Sequence, residues 1–387
     1  MLSFWEYDTF ASADVLIIGA GIIGLSTAIS VKERSPHTRI TVLERGMLPS
    51  GASTRNAGFA CFGSLTEILS DMNTNGEEAT VRLVEQRWRG LQMLRKRLGD
   101  AAMNFEQHGG YETLFQEQLP ALDSLERVNT ALQSIFDAPV FMLKNDRIAE
   151  YGFNTERVKA LVYSPFEGQI HSGRMMQALK RYAEECGVTI LSGAEARSIR
   201  EGNDGVRVTV RHWGEDVVFQ ARECVLCTNA LAPELLGEIL PSELPKHLIK
   251  PARGQVLVTS PIPNLPFRGV FHLDEGFYYF RNLTTPEGER ILFGGGRNLA
   301  FEEEETTAPE LNSRIHAELD NLLRTTIAPR LNYTVEYRWA GIMGFRENKL
   351  PDVRRLSRRC VLAFGCNGMG VALGSIIGAE AAALVAV

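Results

Sequence analysis

The sequence predicts an α/β chain in which a parallel sheet is assembled from distant segments and an antiparallel, α+β part is inserted between them. Three observations predict this. The apolar run Asp14–Ile18 leads into Gly19-Ala-Gly-Ile-Ile-Gly24 and a helical pattern, and a second run, Arg39–Leu43, ends in Glu44, completing a βαβ unit. Short apolar runs recur in mid-chain (Cys224–Thr228) and near the end (Val361–Phe364), where a glycine-rich turn again opens a helix. Alternating, charge-rich segments fill the gaps, as expected of strands with one wet face.

Taken in order, the first helix runs to about Arg34 and is stopped by Pro36. Apolar residues at 81, 84, 88, 91, 94 and 98 recur at helical spacing and predict a long amphipathic helix, Val81–Leu98. A second such helix, Met175–Cys186, passes through Gly187 to a strand, Val188–Leu191. Val206–Val210 and Val217–Phe219, with Gly214 between them, read as a hairpin. Six prolines from Pro241 to Pro266 surround one strand, Gly254–Thr259. Strands near Phe277–Arg281 and Arg290–Phe293 suggest the antiparallel sheet, and Leu311–Ile327 reads as a helix. The nucleotide-binding part is expected to comprise residues 1–85, 160–233 and 336–387, with 86–159 and 234–335 forming the second domain.

Composition narrows the class. The 387 residues, at about 150 per domain, imply two or three domains. With 44% apolar and 23% charged residues and a net charge of −6, the chain is neither disordered nor suited to a nucleic-acid backbone. Arg354, Arg355, Arg358 and Arg359, and the acidic run Glu302–Glu305, read as solvated faces. Six cysteines in so long a chain make no disulfide framework, and a cytoplasmic location is expected. Cys224 and Cys227 form a C-x-x-C inside a buried strand, where side chains three apart point to opposite faces, so no metal site is expected. Val15–Val31 and Val361–Ala379 are uncharged, but their glycines mark strand-to-helix turns and no transmembrane segment is expected.

The chemistry lies in the glycine turns. Gly19-x-Gly21-x-x-Gly24 between strand and helix is a dinucleotide fingerprint: the first glycine permits the turn, the second lets backbone approach a pyrophosphate, and the third brings helix to sheet. Ile22 and Ile23 open a helix whose free N–H groups favour phosphate. Glu44 stands 20 residues after Gly24, placed to accept hydrogen bonds from an unphosphorylated ribose. A Rossmann-like domain follows. Ser50–Gly58 is dense in small and hydroxyl side chains able to meet a second phosphate or a flat ring. Gly365–Gly374 again sets a glycine turn before a helix, and Gly370, Gly374 and Gly378 share one helix face suited to close packing.

These motifs, with Gly168-Gln-Ile-His-Ser-Gly-Arg-Met, Thr228-Asn-Ala, Pro251-Ala-Arg-Gly-Gln255, Tyr278-Tyr279 and Trp339-x-Gly341, resemble the FAD-dependent D-amino-acid oxidase family in its broad sense. That family includes glycine oxidase, sarcosine oxidase and amine-oxidising relatives, and the resemblance spans nearly the whole chain. It implies non-covalent FAD. Glu44 and Arg45 would hold the adenosine ribose, and Gly51, Ala52, Ser53, Thr54, Arg55, Asn56, Ala57 and Gly58 the pyrophosphate and flavin. Ala196 would meet adenine, Thr228, Asn229, Ala230 and Gly341 would complete the site, and Asn367, Gly368, Met369, Gly370 and Val371 would lie at the flavin's pyrimidine edge.

At the substrate the sequence departs from the family, which commonly places a carboxylate-binding arginine two residues after the glycine of Trp-x-Gly. Met343 stands there. Arg346 or Arg281 is expected to take over that role, with Tyr279 lining the pocket from the same strand face as Arg281. Relatives with covalent flavin use a cysteine or histidine; Cys61 is the one candidate near the loop. The resemblance implies oxidation of a small amine or amino acid to an imine that water hydrolyses, with dioxygen or another electron acceptor reoxidising the flavin. A 2-hydroxy-acid dehydrogenase, or a flavin-containing binding protein without turnover, remains open, and the sequence leaves the oligomeric state unknown.

Overall fold

A computed structural model describes residues 3–212, 214–236 and 249–386. Pro241 and Pro245, two of the six prolines noted above, lie outside the described residues. A six-stranded sheet has at its centre Val15–Ile18, flanked in parallel by Ile40–Glu44 and Glu223–Leu226. Thr189–Ser192 extends it beyond Ile40–Glu44, and Cys360–Phe364 extends it beyond Glu223–Leu226, both parallel. Asp352–Arg355 closes that edge antiparallel. The first four strand residues are all buried, as a sheet covered on both faces requires.

Helices cover one face, among them the predicted Met175–Cys186 helix, present as Ser172–Glu185. The fingerprint helix Ile22–Arg34 packs against the C-terminal helix Gly370–Leu384, which in turn packs against Glu77–Leu98. The approach is close enough that a Cβ on Gly378 would lie 2.6 Å from Ser26 Cβ and 2.8 Å from the Thr27 nitrogen. A Cβ on Gly90 would lie 2.1 Å from the Ala372 carbonyl. The helix face of small residues is thus a packing surface, and its glycines bring the N-termini of two helices to the same end of the sheet. The predicted hairpin is present as Val206–His212 and Glu215–Ala221, joined by Glu195–Glu201 into a three-stranded sheet.

The larger sheet has eight strands, ordered Val335–Phe345, Lys250–Thr259, Gly288–Gly295, Tyr278–Thr285, Val270–Leu273, Gly110–Leu114, Ala160–Ser164 and Met142–Leu143. All neighbours are antiparallel except Val270–Leu273 with Gly110–Leu114. This sheet takes Ala160–Ser164 and Val335–Phe345 across the expected boundaries at 160 and 336, because those segments find ladder partners in Gly110–Leu114 and Lys250–Thr259. The Leu311–Ile327 segment is an α-helix from Ser313 to Leu322 that ends in a wider turn, Leu323–Ile327. No helix among the described residues is long and apolar enough to cross a membrane.

Candidate active site

The glycine turns stand at the carboxyl ends of the parallel strands. Gly19 has φ +103°, and a Cβ on it would lie 2.7 Å from the Cys227 carbonyl. A Cβ on Gly24 would lie 1.9 Å from the Gly19 carbonyl, so the helix closes on the turn only because both positions lack side chains. Ser53 Oγ accepts the Ile22 N–H at 3.0 Å, while the N–H groups of Ile23 and Gly24 have no acceptor among the described residues. Glu44 caps the next strand. Its carboxylate accepts N–H groups from Ala20 at 3.0 Å and Gly46 at 2.9 Å, which fixes an anion beside the turn. Arg45 is exposed, and the half-buried Ala196 follows Ala194, whose N–H donates to the Glu44 carbonyl.

Gly51 precedes the single turn Ala52–Arg55, and Asn56 ties it down. The Asn56 amide donates to the Ala52 and Ser53 carbonyls, and its oxygen accepts the Gly58 N–H and the Ser172 hydroxyl, both at 2.8 Å. Thr54 Oγ1 donates to the Pro49 carbonyl. At the other end of the chain Gly365, Asn367 and Gly368 all take positive φ. Asn367 accepts the Arg346 N–H at 2.7 Å and donates to the Gly365 carbonyl at 2.6 Å. Met369 then caps the C-terminal helix with backbone alone, and the first-turn N–H groups of Gly370 and Val371 have no acceptor among the described residues. Between these turns, Asn229 accepts the Gly344 N–H at 3.1 Å, Ala230 is buried, and the buried Thr228 hydroxyl has no partner among the described residues.

This donor set fits a flavin dinucleotide. Two helix N-termini have uncommitted N–H groups that would suit phosphate and the carbonyl edge of a flavin, the Glu44 carboxylate would suit ribose hydroxyls, and Thr228 leaves an orphan hydroxyl.

One face of the eight-stranded sheet lies against the Gly51–Gly58 loop. Trp339 Nε1 donates to the Arg55 carbonyl at 3.0 Å, Arg55 donates to the Ala340 carbonyl at 2.9 Å, and a Cβ on Gly341 would lie 3.1 Å from Arg55 Cβ. Tyr279 is on this face, its ring accommodated because Gly294 opposite has no side chain; a Cβ there would lie 2.6 Å from the ring. A Cβ on Gly254 would lie 2.9 Å from Met343 Cε and 3.7 Å from the Tyr279 hydroxyl, which puts Met343 and Tyr279 together over a floor of bare backbone. Burial pushes the Tyr279 phenol up to about 12, so it stays a hydrogen-bond donor at neutral pH.

The comparisons decide the family. Residues 14–384 match the family model described as FAD dependent oxidoreductase. The chain belongs to that family. The flavoenzyme is 22% identical over 370 residues to the probable oxidoreductase OrdL of Haemophilus influenzae, covering 95% of this chain and 81% of that protein. It spans under half the length of the bifunctional ThiO/ThiG proteins it also matches. Among solved structures, L-proline dehydrogenase from P. horikoshii superposes with TM-score 0.76 at 19% identity, covering 96% of this chain and 93% of that one. Glycine oxidase from Geobacillus kaustophilus superposes with TM-score 0.74 at 19% identity, covering 97% and 96%. At such identity these two structures establish the fold.

Two expected substrate arginines are committed elsewhere in the flavoenzyme. Arg281 is 4% exposed and spends its guanidinium on backbone: Nε donates to the Ala57 carbonyl at 2.6 Å, and the two terminal nitrogens donate to Ile170 and Asn282 carbonyls at 3.1 Å each. Burial brings its pKa down to about 10. These bonds brace the Ala57–Gly58 end of the loop. Arg346 donates to the Leu350 and Pro351 carbonyls and pairs with Asp352 at 3.6 Å. No strand-face pattern marks either commitment, since the carbonyls that accept belong to the adjacent Asn282 or to other elements and turns.

The sequence also did not point to a buried polar cluster beside the C-terminal turn. His272 Nε2 lies 3.2 Å from Glu167 and Nδ1 lies 3.5 Å from Glu67. Cys61 completes the group, its Sγ 3.7 Å from Met369 Sδ, and Cys61, Glu167 and His272 lie close enough together to hold a metal ion. Burial raises the Cys61 thiol to about 11, so it is protonated. Burial opposes the charge on His272, but Glu167 and the Cys61 side chain together outweigh it and raise the imidazole well above its usual range. The Cys224 and Cys227 thiols are raised by burial as well, the latter to about 12, and both are free. The acidic run Glu302–Glu305 is not uniformly solvated: Glu304 is fully buried and accepts from Arg253, Gln255 and Asn312. Arg253 and Gln255 belong to the Pro251–Gln255 motif, so its polar residues serve to anchor that run.

Proposed function

We propose that the enzyme oxidises the C–N bond of a small amine or amino acid to an imine, which water hydrolyses. One observation carries the choice of nitrogen over oxygen. Loss of hydride from an alcohol carbon needs a base to take the hydroxyl proton, whereas a neutral amine drives the same loss with its own lone pair. The imidazole on the sheet face, His272, pairs with Tyr279 across the ladder, and both of its nitrogens are opposed by carboxylates. Carboxylates at both nitrogens favour its charged form, which has no lone pair to act as a base. The Tyr279 phenol donates for the same reason of burial.

When bound, FAD supplies the acceptor for the hydride and its electron pair. The chain's residues would hold and orient it: Ile23 and Gly24 would offer N–H groups to phosphate, Glu44 would accept from ribose, and Gly370 and Val371 would offer N–H groups and a helix N-terminus to the flavin's carbonyl edge. Tyr279 and Met343 shape the substrate side, and Trp339 and Arg55 lock the sheet to the loop. Binding is non-covalent in this reading, because the Cys61 thiol is protonated and engaged with Met369 and His272.

Anaerobic mixing of the purified yellow protein with matched amines, amino acids and 2-hydroxy acids tests the assignment. Amine or amino-acid donors should bleach the flavin absorbance and hydroxy acids of the same skeleton should not. Faster bleaching by the hydroxy acid makes the protein a hydroxy-acid dehydrogenase, and no bleaching by any member of the panel makes it a binding protein; either overturns the proposal.

A further inference from the structure

Arg297 follows the strand Gly288–Gly295 through Gly296, which takes φ +81°. It is half-buried, and its side chain has no hydrogen bond or ion pair with any described residue. Its guanidinium carbon lies 4.4 Å from the Phe345 ring centroid and 5.1 Å from that of Phe301. The other arginines around this sheet are tied: Arg253 to Glu304, Arg290 to the Thr259 carbonyl and Glu336, Arg338 to Asp320, and Arg281 and Arg346 as described above. Arg297 differs from all of them in having no hydrogen bond or ion pair among the described residues: aromatic faces flank it, and Glu305 and Glu304 act on its charge only at longer range.

Its position is as telling as its lack of a partner. Phe345 ends the strand that carries Gly341 and Met343, and residues 341, 343 and 345 share one strand face. The Phe345 ring reaches to 3.9 Å from where a Cβ on Gly368 would stand, so Arg297 and the C-terminal turn adjoin the same ring. A planar cation stacked on an aromatic face keeps its N–H edge free, and a fork of N–H donors matches a carboxylate in two parallel bonds. A desolvated guanidinium without a counter-ion is also costly, a cost that an arriving anion removes. Glu304 is already satisfied by Arg253, and burial works against the charge on Arg297.

We propose that Arg297 receives the carboxylate of the substrate in the pocket shaped by Phe345, Met343 and Tyr279, so that the donor is an amino acid or another amine carrying a carboxylate. This rests on the amine-oxidation reading above. Arg297 takes the task from a different strand end, while Met343 occupies the place where the resemblance leads one to expect an arginine.

The probe is benzoate, with benzamide as its neutral isostere, titrated into the FAD-loaded enzyme while the flavin spectrum is followed. Benzoate should perturb the spectrum saturably and benzamide should not compete with it. Arg297→Ala should weaken benzoate about 10- to 100-fold, the range of a charge-assisted hydrogen-bond set, with FAD content unchanged. Arg297→Lys should recover part of the loss, and Arg297→Gln provides a bulkier neutral variant should the alanine protein fold poorly. In turnover, the same variants should raise KM for carboxylate-bearing amines and leave kcat, and all parameters for uncharged amines, nearly unchanged. No benzoate binding to the wild type, or equal benzoate affinity in wild type and variants, overturns the assignment of Arg297. Bleaching of the flavin by amines tests the reaction itself and is unaffected by either result.

Discussion

Replacing Arg281 separates a loop brace from a substrate ligand. Arg281→Met keeps most of the buried stem and deletes three donors, leaving the Ala57, Ile170 and Asn282 carbonyls short of a partner. Three charge-assisted hydrogen bonds at about 1.5–3 kcal/mol each give a gross loss of about 5–9 kcal/mol. Against this, burial lowers the arginine pKa from 12.5 to about 10, so removing the charge returns about 3 kcal/mol of desolvation. The net loss is about 2–6 kcal/mol, centred on the end of the loop that carries Ala57 and Gly58. Differential scanning fluorimetry with and without added FAD, together with FAD retention on gel filtration, reads this directly: the variant should melt lower and lose FAD, while whatever fraction keeps FAD should show wild-type KM. A variant with unchanged melting temperature and FAD content but a KM for carboxylate substrates raised tenfold or more would refute the brace and restore Arg281 to the substrate pocket.

Gly378→Ala should destabilise the enzyme by about 1–3 kcal/mol, because the new methyl meets the backbone of Ser26 and Thr27, which no rotamer change can move; chemical denaturation measures it. Glu44→Ala should raise the FAD dissociation constant about 10- to 100-fold and leave kcat of the loaded enzyme intact, as equilibrium dialysis and turnover of the saturated variant would show. His272 has a folded pKa raised above its unfolded value of 6.5, so its contribution to stability is full below 6.5 and fades as pH rises toward the folded value. The melting-temperature gap between wild type and His272→Gln should therefore shrink from pH 6 to pH 9; a gap that widens would show that His272 is neutral in the fold.

What the sequence made legible was local. Gly19, Gly24 and Glu44 announce themselves because a tight turn, a close helix and a ribose acceptor are each encoded within thirty residues, and the Gly365–Gly374 turn repeats that logic. The antiparallel sheet was only half visible. Gly110–Leu114 and Ala160–Ser164 are fully or almost fully buried on both faces and show no alternation, so their strand character depends on partners distant in sequence. Side-chain commitments were less legible still. Glu304 looked like one of four solvated acids until Arg253, 51 residues earlier, folded onto it. Arg297 had no distinguishing neighbours in sequence; its character comes from Phe345 and from the partners it lacks. The donors of Arg281 and Arg346 are engaged by backbone carbonyls, which no sequence pattern marks.

In the proposed mechanism the substrate amine, and not a base of the protein, supplies the electron push for hydride loss. Stopped-flow flavin reduction across pH, with two amine donors of different pKa, tests it most directly. The second-order rate of flavin reduction at low donor concentration should rise to a plateau with a break at the pKa of the free amine, and the break should move when the donor is exchanged. A break that stays fixed while the donor changes would place the controlling proton on the protein and contradict the account.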